Sequence, residues 1–114
     1  MAGVHAILLL AAALLVVSCS KSPSDQTADA VAKSGRDRGA TIQDQAATQA
    51  EALDERSAAL SGQAKQAGGY TGERLEVQAE ALEREADIVR RQGEAQAEAT
   101  QEAAAAQAKA IRSR

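Results

Sequence analysis

Three features of this 114-residue chain predict an all-α protein: a disordered tether, then a two-helix antiparallel hairpin or coiled-coil-like pair of long helices. The first is a thin supply of apolar bulk. Hydrophobic residues make up 45% of the chain, yet most of them are alanine. Beyond residue 19 the larger ones are Val31, Ile42, Leu53, Leu60, Tyr70, Leu75, Val77, Leu82, Ile88, Val89 and Ile111, with no Trp and no Phe anywhere. Burying a Leu or Ile contributes about 1.5–3 kcal/mol, whereas ordering a residue costs about 1–2 kcal/mol of backbone entropy. Such a set supports a rod with a narrow seam and not a globular core. The second feature is periodicity, because spacings of three, four and seven recur and strand-like alternation does not. The third is a single strong interruption, "GGYTG" at residues 68–72, between two long Pro-free stretches.

At the N-terminus, residues 4–17 read "VHAILLLAAALLVV", an apolar run broken only by His5. As a helix it spans roughly 21 Å, short of the ~30 Å bilayer core, so its length suits a secretory signal peptide (1–18) better than a transmembrane anchor. The run ends at "VVSC", with Cys19 the only cysteine in the chain. A lone cysteine forms no intrachain disulfide, and no second one accompanies it as a metal pair.

Val16–Cys19 resembles the lipobox of bacterial lipoproteins: aliphatic, small or aliphatic, small, then Cys. The resemblance implies cleavage before Cys19 and acylation of its sulfur and new amine, so that the chain contacts a lipid bilayer through acyl chains. Two or three acyl chains anchor stably where one does not. Ser20 in place of Asp resembles the outer-membrane sorting pattern, which implies an outer-membrane protein facing the periplasm.

Residues 19–40 read as the lipidated Cys and a flexible tether. Ser22, Pro23 and Asp25 form a helix-start signal, but Gly35 and Gly39 are expected to break any helix begun there, and so short a helix is marginal in water. Residues 41–67 are expected to be the first lasting helix. Thr41 and Asp44 form a capping-box pattern there, and Ile42, Ala46, Ala50, Leu53, Leu60, Ala64 and Ala67 form one stripe. Residues 68–72 supply the hairpin turn, with Thr71 as cap of a helix over about 73–112.

In that second helix Leu75, Leu82 and Val89 repeat at seven, and so do Ala79, Ala86 and Gly93, a seam of large and small residues. Its expected centre is Leu53, Leu60, Leu82 and Val89. Glu80–Arg84 and Asp87–Arg91 are i,i+4 pairs in the favoured orientation. From Gly93 to Ala110 no large side chain remains, so residues 94–114 are expected to project beyond the hairpin.

Several functions are poorly served by this inventory. The 16 acidic and 13 basic residues are interspersed, giving a net charge of −3 and no basic stripe or aromatic platform for nucleic acid. No catalytic, cofactor-binding or metal-ligating set is assigned, and no small-molecule substrate. The only His is His5, and Glu80, Glu83 and Glu85 sit on a helix with no pocket to shift a carboxyl pKa. Tyr70 is expected to pack its ring over the helix ends, and the Arg90–Arg91 doublet to be neutralised by Asp87 and Glu94.

Three roles are open on the sequence. The first is a small lipid-anchored structural or interaction protein of the cell envelope, which partners another helical protein or itself. In outline this is similar to murein (Braun-type) lipoprotein, although the alanine seams, the glycine-rich turn and the ending "AIRSR" depart from that family and do not imply a covalent wall linkage. The second is a stress protectant, since the Ala-, Glu- and Gln-rich helices look like late-embryogenesis-abundant proteins. The third is a subunit of an envelope complex, docked through residues 75–93.

Overall fold

A computed structural model describes residues 21–114, and the expected signal peptide (1–18) and Cys19 lie outside the described residues. Two helices account for nearly all of it: α1, Pro23–Ala67, and α2, Gly69–Arg112. They run antiparallel side by side, so the fold is an all-α hairpin about 66 Å long at 1.5 Å rise per residue.

α1 starts where the sequence signal lies. Ser22 is its N-cap, Pro23 occupies the first turn, and the Asp25 amide donates to Ser22 Oγ at 3.2 Å. It then continues without interruption to Ala67, so residues 23–40 are helix and not tether. The helix does not begin at Thr41, whose hydroxyl donates to the Asp37 carbonyl at 3.0 Å inside the continuous helix. Gly35 and Gly39 are buried against α2 instead of loosening the chain. A Cβ on Gly35 would stand 2.1 Å from Ala104 Cβ, so the glycine lets the two backbones approach. The propensity lost at these glycines, about 1 kcal/mol each, is offset by interhelix contact that a lone helix would lack.

The turn is also tighter than expected. Only Gly68 separates the helices. Its φ of 61° and ψ of 177° belong to a region essentially reserved for glycine, and Gly69 comes next with φ 55°. The Gly68 amide closes α1 by donating to the Ala64 carbonyl at 3.0 Å. The Gly72 amide opens α2 by donating to the Gly68 carbonyl at 2.9 Å. Thr71 therefore lies within α2 and caps nothing, and α2 begins with no side-chain cap.

The seam between the helices is built of small side chains. Buried on α1 are Ala28, Gly35, Gly39, Ala50, Ser57 and Ala64. Buried on α2 are Gly72, Ala79, Ala86, Gly93, Ala97 and Ala108. Leu53, Leu60, Leu75, Leu82 and Val89 flank this line and are only half-buried. The expected large-and-small seam is thus corrected: small residues meet small ones at the centre, and the leucines close over the edges. A methyl-to-methyl seam brings the axes closer than a leucine seam allows, and large side chains on the midline would prevent that approach.

Register holds along the whole rod. Gly72 lies against Ala64 beside the turn, Gly93 against Ala46 in the middle, and Gly35 against Ala104 towards the open end. Residues 94–112 therefore do not project. Ala97 and Ala108 are 0% and 1% exposed, because the N-terminal half of α1 supplies the surface they pack on.

The spacing of the seam changes partway. From Ala50 to Ala64, and from Gly72 to Ala86, buried positions recur every seven residues. Towards the open end Ala28, Gly39 and Ala50 recur at eleven, as do Ala86, Ala97 and Ala108. A seven-residue repeat falls short of 3.6 residues per turn and drives a left-handed supercoil, whereas an eleven-residue repeat exceeds it and turns the pair slightly the other way. Ala50 and Ala86 mark the change on both helices, which is why the two periods stay matched.

Candidate functional site

No part of the hairpin encloses a chamber among the described residues. Two open grooves of about 780 Å³ each lie towards the free end of the rod, one walled by Val31, Gly35, Ala103 and Ala104 and the other by Lys33, Asp37, Thr41 and Ile42. Nor does any group of three or more His, Cys, Asp or Glu among the described residues converge as metal ligands would. No described helix is long and apolar enough to cross a membrane. The chemistry on display is that of surfaces: three interhelix polar clamps and one exposed apolar face.

The first clamp is near the turn. Ser57, 1% exposed, is the one buried polar side chain of the described seam, and its hydroxyl donates to Glu83 Oε1 at 3.2 Å. Ser61 makes the equivalent bond to Glu76 Oε1 at 3.3 Å. Serine is small enough for the seam and lets its hydroxyl reach sideways to a carboxylate on the other helix. The spacing that places Ala50 and Ala64 on the stripe also places Ser57, at seven from each, but a polar residue does not announce itself in an apolar pattern.

The second clamp is at mid-rod, where Arg90 donates to Asp54 across the pair and to Asp87 Oδ1 at 3.2 Å on its own helix. Hydrogen bonding to Asp54 raises the Arg90 pKa, and both carboxylates reinforce the charged form. The doublet therefore divides. Arg90 is absorbed into helix pairing, while Arg91 makes no ion pair among the described residues. The expected Asp87–Arg91 pair is replaced by Asp87–Arg90, whereas Glu80–Arg84 forms as expected at 3.7 Å.

The third clamp is at the open end. Arg112 reaches back over the whole length of chain to Asp29 Oδ1 at 2.6 Å and to Asp25 Oδ1 at 3.9 Å, and Lys21 closes on Asp29 as well. Hydrogen bonds from Lys21 and then Arg112 lower the Asp29 pKa. The start of α1 and the end of α2 are thereby tied together. Sequence reading misses these interhelix pairs, since residues 83 positions apart carry no local signal.

Of the carboxylates in "EALERE", Glu80 is occupied by Arg84 and Glu83 by Ser57, and Glu85 lies exposed, so the three are not gathered into one acid–base set. Tyr70 does not pack over the helix ends. It is 75% exposed, with the Arg74 guanidinium carbon 6.0 Å from its ring centroid. Val77 and Ile88 are exposed with it, on the side of α2 that faces away from α1. No protein-family model, curated protein or solved structure matches this chain.

Proposed function

We propose that this chain is a lipid-anchored rod of the bacterial cell envelope, with a structural and protein-interaction role. Acyl chains on Cys19 would hold it to the outer membrane, facing the periplasm. The observation that carries this reading is the polarity of the hairpin. Pro23 opens α1 four residues after Cys19, and the Arg112 clamp brings the far end of α2 to the same place. An anchor at Cys19 then sets the open end at the membrane surface and presents Gly68–Tyr70 about 66 Å away. The long outer faces of both helices are left for partners. Two or three acyl chains suffice for stable anchoring, and so short a spacing between Cys19 and Pro23 leaves little slack.

The test is intact-mass measurement with labelled-palmitate incorporation, on the wild type and on Cys19→Ser, together with membrane fractionation. Acylation at Cys19, lost with release from the membrane in Cys19→Ser, supports the anchored rod. A mature form beginning elsewhere, without lipid, overturns it. Circular dichroism in dilute buffer separates the stress-protectant alternative. A rod melts from stable helix, whereas a protectant is coil in solution and becomes helical on drying.

A further inference from the structure

The outer face of α2 carries an apolar stripe that no described residue covers. Tyr70, Val77, Ala81, Ile88 and Ala95 are all exposed and succeed one another at seven, four, seven and seven residues. At 100° per residue these positions lie along one line, on the side of α2 opposite the Ala79–Ala86 seam. One flank of that line holds Glu73, Glu80, Arg84 and Arg91, in that order, all exposed.

The geometry points to a second copy of this chain as the occupant, bound antiparallel on the same face with the two-fold axis between Leu82 and Glu83. In an antiparallel helix pair each flank faces its own copy. Reversing the order Glu73, Glu80, Arg84, Arg91 and laying it on itself brings Glu73 within one residue (about 1.5 Å along the axis) of Arg91 and Glu80 within one residue of Arg84, each twice. The same register lays Val77 on Ile88 and Tyr70 on Ala95, large on small. A parallel arrangement would instead set this flank against the opposite one, where Gln78, Glu85 and Gln92 offer it no matching order of charge. Two acids followed by two bases is self-complementary only when reversed, the signature of an isologous contact. Arg91, left without an ion pair among the described residues, finds one in this pairing.

The overlap covers residues 70–95, about 39 Å of helix. A strip about 10 Å wide then covers roughly 400 Å² per copy, half the ~800 Å² of a standard interface. Pairing is accordingly weak in dilute solution, and being antiparallel it joins rods of opposite polarity. Two copies lying along a membrane surface, or standing on facing ones, meet that condition, and two upright copies side by side on one surface do not. The proposal deepens the interaction role given above by naming a partner. It rests on the rod and not on the anchor: loss of acylation would leave the pairing intact, and loss of pairing would leave Cys19 acylated.

The test uses full-length chains carrying Val77→Cys or Ile88→Cys, mixed under mild oxidation, with wild type as the baseline for Cys19. Positions 77 and 88 of opposite copies fall within disulfide reach. Two copies of either position alone are offset by about 16 Å along the axis, beyond a ~7 Å Cα separation. The mixture is expected to give several-fold more covalent dimer than either variant alone, mapped by mass spectrometry to the 77–88 pair. Adding Arg91→Glu to both chains is expected to lower that yield several-fold, and adding Glu73→Arg as well to restore it. All these positions are exposed, so far-UV circular dichroism should stay unchanged. The proposal is overturned if either variant cross-links alone as well as the mixture does, if the mixture yields no more than wild type, or if the charge swap fails to restore the yield.

Discussion

Gly93 and Gly62 are both helical glycines, and they should respond to alanine in opposite senses. A Cβ on Gly93 would fall 2.2 Å from Ala46 Cβ, whereas one on Gly62 meets nothing within 4 Å. Gly62→Ala is therefore expected to stabilise the chain by about 1 kcal/mol, the propensity difference alone. Gly93→Ala forces the helices apart and should destabilise by about 1–3 kcal/mol, with partial recovery when Ala46→Gly is added. Urea melts of the three variants decide it, and equal midpoints for Gly62→Ala and Gly93→Ala would mean that the helices do not touch there. Ser57 gives a milder case. Its partner Glu83 remains open to water, so Ser57→Ala loses one hydrogen bond and leaves no buried charge, a change of about 0.5–1.5 kcal/mol.

At the scale of the element, the turn and the open end set the two boundaries of the rod. Gly68 sits where an L side chain is strained, so Gly68→Ala should cost about 1–3 kcal/mol, read as a lowered thermal midpoint with the helices otherwise retained. At the other end the lowered Asp29 pKa makes closure depend on pH. A carboxyl whose folded pKa is depressed contributes fully above its unfolded value of about 4 and loses that contribution as pH falls through the lowered folded value. Amide exchange in the first turns of α1 and the last turn of α2 should therefore quicken as pH drops below that range, after correction for intrinsic exchange. In Asp29→Asn the same amides should exchange fast already at neutral pH. Unchanged exchange in that variant would mean that the clamp adds nothing to closure.

Over the whole molecule, stability is spread thin and even. No large residue lies on the midline, and each buried methyl contributes only about 0.8 kcal/mol, so no single position dominates as a leucine core position would. Leu82→Ala should consequently cost less than the roughly 2–5 kcal/mol of a fully buried leucine, since Leu82 is half-exposed. Continuous register also predicts a uniform pattern of hydrogen exchange. Amides of residues 94–108 should be protected to a similar degree as those of 75–92, because both lie against α1. Markedly faster exchange beyond Gly93 would show that the open half does not stay paired.

What residues alone determine in this protein depends on the range of the interaction. The helical class, the start of α1 at Ser22–Pro23, the reversal at Gly68–Gly69, the Ala79–Ala86–Gly93 line and the Glu80–Arg84 pair are legible, because each rests on propensity, capping or periodicity within a few residues. The lipobox resemblance at Val16–Cys19 also rests on neighbouring residues, and it lies outside the described residues. The continuity of α1 through Gly35 and Gly39 is not legible, since a glycine that breaks a lone helix is the same residue that admits a neighbouring backbone. Nor is the pairing of residues 94–112, which look unsupported only while residues 23–40 are taken as tether. The exposed line from Tyr70 to Ile88 stays hidden among apolar residues until the seam claims the opposite side of α2. Local chemistry dictates that these segments are helices; only the approach of one helix to the other settles which glycines are seam, which leucines are edge and which face is left over.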